Sequence, residues 1–108
     1  MTNYLSVHTS VSNLSDAKKL SRTLLEEKLI ACANILPCSS IYQWQGRVED
    51  SDEVLMILKT DIETYPLLEN RLRNLHPYEE PMIVAFAVQN GSKSYLQWIS
   101  KSLEKKEN

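Results

Sequence analysis

Apolar positions alternate along this chain between two periods, and each change of period marks a change of element. Tyr4, Leu5, Val7 and Val11 fall in a β-favouring stretch that predicts a first strand over residues 3–10. Ser12, Asn13 and Ser15 are residues that cap helix starts. Ala17, Leu20, Leu24 and Leu25 then recur at helical spacing, with Asp16, Lys18, Lys19, Arg22, Glu26 and Glu27 on the other face. That predicts a helix over about residues 13–28. The apolar run 29–36 suits a buried strand that continues past Pro37 through Ile41 and Tyr42 toward Trp44. Gln45-Gly46 offers a turn, and the strand pattern resumes as a long hairpin. Its tip is expected between Trp44 and Asp52, where Glu49-Asp50-Ser51-Asp52 reads as a solvated stretch. Residues 54–58 form the buried part of the third strand.

Asp61 and Thr64 open a second helix, with Pro66 tolerated in its first turn and Leu68, Leu72 and Leu75 as its apolar stripe. Residues 82–88 read as a fourth strand that Gly91 breaks. Tyr95, Leu96, Ile99 and Leu103 make a C-terminal amphipathic helix, followed by a charged tail expected to fray. The order is βαββαβ plus a helix. This is the α+β, ferredoxin-like arrangement of two helices on one face of an antiparallel sheet. A helix-free second face bearing Ile, Leu and aromatics would need covering.

With 108 residues, a single domain over 1–108 is the expectation. A core this small leaves little room for a large internal cavity, so a binding site falls more naturally at a boundary between subunits. Twelve Lys and Arg against fourteen Asp and Glu leave a net charge of −2, which argues against a nucleic-acid partner. No apolar run approaches the roughly 20 residues of a membrane span, and the N-terminus lacks a basic-then-apolar leader. Cytoplasmic residence is the expectation, with no membrane partner. Cys32 and Cys38 lie about 20 Å apart if the segment is extended, beyond disulfide reach, so both read as free thiols.

This topology hosts many chemistries, and several lack their residues here. The third strand, Val54-Leu55-Met56-Ile57-Leu58, has no aromatics on which RNA bases would stack. The loop Thr9-Ser10-Val11-Ser12 has neither a Cys-x-x-Cys for soft metals nor an arginine cradle for phosphate. Two glycines, Gly46 and Gly91, cannot make a phosphate loop. No nucleophile and base pair emerges, so no enzyme is expected. The exception to this plainness is Leu75-His76-Pro77-Tyr78-Glu79-Glu80-Pro81. Two prolines stiffen a loop that carries an imidazole, a phenol and two carboxylates. A stiff loop with such side chains is a functional hint.

His76-Pro77-Tyr78-Glu79, Ala31-Cys32-Ala33-Asn34-Ile35, the run Ser40-Ile41-Tyr42-Gln43-Trp44-Gln45-Gly46 and Val54-Leu55-Met56-Ile57-Leu58-Lys59-Thr60 stand in an order and spacing that resembles the CutA divalent-cation-tolerance family. Tyr95-Leu96-Gln97-Trp98 looks similar too, and the resemblance covers roughly residues 4–100. It implies a homotrimer joined through the long hairpin. It also implies copper or another divalent metal ion, weakly bound, with ligands at His8, at the end of strand 1, and at His76. Imidazole suits such ions. Members with a second histidine before the motif have Leu75 matched here, so a tighter site needs Glu79 or ligands from a neighbouring subunit. The alternative for His76 is a favourable position at the C-terminal end of helix 2. For His8 it is a polar strand-end residue.

In the family, positions matching Tyr42, Trp44, Lys59, Tyr78, Glu79 and Trp98 gather in clefts between subunits. Two readings stay open for them. One is a signalling or scaffold trimer, like the nitrogen-regulatory trimers of this topology, that takes a small anionic molecule, with Lys59 supplying charge. The other is simple packing of the trimer contact by aromatics. The segment 37–42 is one residue shorter than the family pattern, which leaves open the face that Cys38 occupies.

Overall fold

The computed structural model describes residues 3–104. Residues 1 and 2 of the N-terminus and residues 105–108 of the charged tail lie outside the described residues. Seven elements follow one another: β1 (Tyr4–Val11), α1 (Leu14–Glu26), β2 (Cys32–Trp44), β3 (Arg47–Asp61), α2 (Tyr65–Leu75), β4 (Val84–Ala87) and α3 (Lys93–Leu103). The sheet order is β2-β3-β1-β4, and the registered pairs are antiparallel. The fold is the expected ferredoxin-like α+β arrangement. Its two borders differ in length: β2 has thirteen residues and β4 only four.

Strand alternation sorts the sheet. Val7 and Val11 of β1 and Met56 and Leu58 of β3 point toward α1 and α2. There they join Ala17, Leu20, Leu24, Leu68 and Leu72 in the main core. Each large aliphatic side chain buried there contributes roughly 1.5–3 kcal/mol relative to exposure. Thr9 lies on the same side, fully buried, and its hydroxyl has no hydrogen-bond partner among the described residues. A second, smaller core forms where Ile99 and Leu103 of α3 pack on Ala31 beside Tyr4 and Leu96.

Local chemistry explains most boundaries. Asn13 Oδ1 accepts the Asp16 N–H at 2.8 Å and caps α1, as the sequence anticipates. The end of α1 is a Schellman turn, in which Leu29 N–H bonds Leu24 O and Lys28 N–H bonds Leu25 O. Lys28 sits there at φ 61°, a conformation that favours glycine. This turn keeps Leu29–Ala31 buried but outside the strand, although Ala31 N–H bonds Lys59 O, so β2 begins at Cys32, three residues later than the apolar run predicts. In α2 the stripe ends early. Leu68 and Leu72 are fully buried, whereas Leu75 is exposed.

The hairpin tip differs from expectation. Gln45 (φ 52°) and Gly46 (φ 79°) form a two-residue turn with both residues left-handed, the geometry that matches strand twist. Pairing therefore resumes at once, with Trp44 opposite Arg47, Tyr42 opposite Glu49 and Ile41 opposite Asp50. The acidic run belongs to the β3 ladder and not to a loop, because β2 supplies a partner for each of its residues.

β4 is also shorter than residues 82–88. Val88 N–H bonds Tyr4 O, so the hydrogen-bonded pairs between β1 and β4 fall on Tyr4, Ser6 and His8, and the next would be Ser10 with Met82. The Ser10 carbonyl is occupied instead by the His76 ring. Met82 and Ile83 leave the ladder at that point.

Candidate functional site

α2 stops at Leu75, and His76 takes an extended conformation (φ −71°, ψ 133°), as the proline after it requires. Its backbone N–H still bonds Leu72 O at 2.8 Å. The imidazole is buried, and its Nε2 lies 2.8 Å from Ser10 O. A carbonyl only accepts, so Nε2 carries the hydrogen. Nδ1 then accepts the Tyr78 N–H at 3.1 Å. Both ring nitrogens are used, and the neutral Nε2–H form is the one that fits. Burial holds His76 below the ordinary imidazole range, against the opposing pull of the Ser10 carbonyl and the Glu53 charge. The ring thus pins the loop to β1. A neutral imidazole adds no positive charge at the end of α2.

Tyr78 is the second anchor. Its hydroxyl donates to Glu53 Oε2 at 2.6 Å, and its ring meets the His76 ring edge-on at 4.8 Å. Ser10 Oγ reaches the same Glu53 oxygen at 3.4 Å. Burial first, then the bond to Glu53 and its negative charge, raise the Tyr78 pKa far above the usual phenol range. Tyr78 is therefore a neutral donor at any physiological pH. Glu53 is only 8% exposed.

Tyr78 and Glu53 wall a groove of about 850 Å³ between the loop and the distal hairpin. Ser10, Cys38, Tyr42, Trp44 and Leu55 also line it, with Glu79, Glu80 and Met82 from the loop. Cys38 stands opposite Glu53 in the ladder and faces this groove, which resolves its orientation. Both cysteines are free thiols.

The structure brings together some of the expected residues and separates others. Tyr42, Trp44, Tyr78 and Glu79 share the groove. Lys59 does not join them in one protomer. It lies six residues beyond Glu53 on β3, roughly 20 Å along the strand, where its Nζ donates to Asn34 Oδ1 at 2.9 Å. Trp98 is on α3, stacked on Tyr95 at 5.6 Å. His8 lies within β1 and not at its end, with three strand residues after it. Its ring tilts against Phe86 at 4.7 Å on the face away from α1 and α2, with Ser6 Oγ 3.4 Å from Nε2. Asp50 and Asp52 are exposed strand residues. Sequence reasoning missed Glu53 and Ser10. The available signal was a carboxylate heading the apolar run 54–58, on the face opposite Met56 and Leu58.

Among the described residues no three His, Cys, Asp or Glu side chains converge as a metal would need. His76 has no lone pair to spare, and His8 supplies one weakly engaged nitrogen. A complete metal site is therefore not assembled by one protomer's described residues. None of the helices in this region is long and apolar enough to cross a membrane.

Comparison with known proteins places these features in context. The family described as CutA1 divalent ion tolerance protein matches residues 5–102. The divalent-cation tolerance protein CutA of Thermus thermophilus is 41% identical over 87 residues, which are 80% of this chain and 84% of that protein. Protein CutA of Homo sapiens is 40% identical over 89 residues, 82% of this chain, and this chain spans only about half of its length (50%). The periplasmic divalent cation tolerance protein CutA of Archaeoglobus fulgidus superposes with a TM-score of 0.91 at 33% identity, covering 94% of this chain and 99% of that one.

Proposed function

We propose, because this chain belongs to the CutA1 family of divalent ion tolerance proteins, that it acts in divalent-cation tolerance as a non-enzymatic homotrimer whose functional surfaces lie between copies. The observation that carries this reading is the uncovered apolar surface. The second face is not helix-free as expected, since α3 covers its Tyr4 end, but Leu36, Tyr42, Trp44, Val84 and Phe86 remain exposed there, and Ile41 and Val48 project beyond α1 and α2 on the other face. Apolar surface of this extent is characteristic of a contact with another chain. The unequal borders of the sheet supply the main-chain groups for such a contact.

Copper or another divalent ion, held weakly through His8 and His76, is the metal-binding form of this reading. It requires His76 to give up its bond to Ser10 or to Tyr78, and it requires further ligands from a neighbouring copy. Imidazole, thiol and thioether groups on or near the face away from α1 and α2 suit copper. Cytoplasmic residence is supported by the two free thiols, which persist in a reducing compartment.

Light scattering tests the assembly: the expected mass is three times the 12.4 kDa of one chain. A folded lone chain at micromolar concentration would overturn it. A copper titration on the parent, His8→Ala and His76→Ala tests the ligands. Weaker binding in both variants is expected, and parent-like binding in both removes the assignment. The groove favours a second reading, a scaffold or signalling trimer that takes a small molecule in its clefts. Here the lining residues bear on the charge of the ligand.

A further inference from the structure

We infer that the groove beside the loop 76–82 receives an organic cation, an ammonium or guanidinium group on a small carbon skeleton, with Glu53 as its counter-charge. This deepens the cleft reading above and rests on it. It reverses the charge expected of the ligand from sequence.

Three observations carry it. First, Glu53, Glu79 and Glu80 line the groove, and no Lys, Arg or His does. Lys59, the expected source of positive charge, is bonded to Asn34 elsewhere on the hairpin. Among the described residues of one copy, an anion would meet carboxylates and no cationic partner. Second, Glu53 is more than nine-tenths buried, and it forms no ion pair among the described residues. The ion pair found among the described residues is Arg71 with Glu27, on the helix side. Tyr78 and Ser10 both bond Oε2, while Oε1 has no hydrogen bond among the described residues and belongs to a side chain that lines the groove. Oε1 is not among the buried unpartnered atoms, so it opens to the groove, where a charged donor can reach it and form a charge-assisted hydrogen bond. Third, the remaining walls include the rings of Tyr42, Trp44 and Tyr78. Aromatic faces attract organic cations and offer nothing to a hard metal ion. The absence of three convergent metal ligands among the described residues points the same way.

The test uses the full chain in EDTA, so that trace metals play no part. Butylamine, butylguanidinium and benzyltrimethylammonium are compared with butyrate and benzoate by thermal shift and calorimetry. The cations should raise the melting midpoint by mass action and the carboxylates should not. Glu53→Gln keeps an acceptor for Tyr78 and removes the charge, so it should weaken cation binding at least tenfold. Glu79→Gln alters an exposed residue and folding should tolerate it; a smaller weakening is expected. No shift with any cation, equal shifts with the carboxylates, or parent-like binding by both variants would each overturn the inference. Mass is measured on the same samples. A trimer that binds no cation sinks this inference alone. A lone chain that binds cations sinks only the assembly, and a lone chain that binds none sinks both.

Discussion

The two halves of the long hairpin share one ladder and one strand twist, but differ in what lies behind them. At the root, Met56 and Leu58 are fully buried under α1 and α2. Toward the tip, Ile41 and Val48 are each 69% exposed on the same pleated ribbon. The root is held by burial. The distal part is held by main-chain pairing and by the tight turn at Gln45-Gly46, which is little for an apolar ribbon in water. Buried and uncovered apolar residues are thus segregated along β2 and β3, and the groove lies where one gives way to the other.

The sharpest way to break this contrast is a pair of truncations. Met56→Ala should cost about 2–5 kcal/mol in denaturant unfolding at every protein concentration. Ile41→Ser should cost no more than about 0.5 kcal/mol for an isolated chain, and should act mainly by weakening self-association. If Ile41→Ser destabilises dilute protein as much as Met56→Ala, the two halves are not distinct.

His76, which ties the loop to the root, offers a pH test. Its folded pKa is lowered, so below about pH 6.5 the unfolded chain takes up a proton that the folded chain resists. Stability should therefore be full well above that pH and fall as pH drops through the ordinary imidazole range. His76→Gln, which can still donate to Ser10, should flatten that part of the profile. An unchanged slope would show that the imidazole is not the titrating anchor.

The smallest effect is expected at the other end of the root. Lys28→Gly should relieve a left-handed residue in the α1 turn and stabilise by about 1 kcal/mol. A loss of stability there would mean that the Lys28 side chain contributes more than its backbone conformation costs.

Most of the fold was legible, because periodicity reports burial and burial dominates the root. The Asn13 cap, the Gln45-Gly46 turn and the order of elements could all be read from residue types. The tip was misplaced because Glu49, Asp50 and Asp52 resist strand structure by propensity alone, and pairing with β2 overrides that. The end of β4 was misplaced because one imidazole occupies a carbonyl that the ladder would have used. The site was legible only in its loop. Nothing local to residue 53 announces that its carboxylate meets a tyrosine twenty-five positions away. Lys59 was grouped with the groove residues because chain order does not disclose how far an extended strand carries a side chain.

The unequal borders of the sheet have a geometric consequence. When the thirteen-residue border of one copy meets the four-residue border of the next, the contact is head-to-tail. Repetition of such a step closes into a ring only if its rotation divides a full turn; otherwise it runs on as a fibre. In the proposed assembly, a substitution that alters the pitch of the ribbon without unfolding it would therefore favour an open polymer over a closed ring.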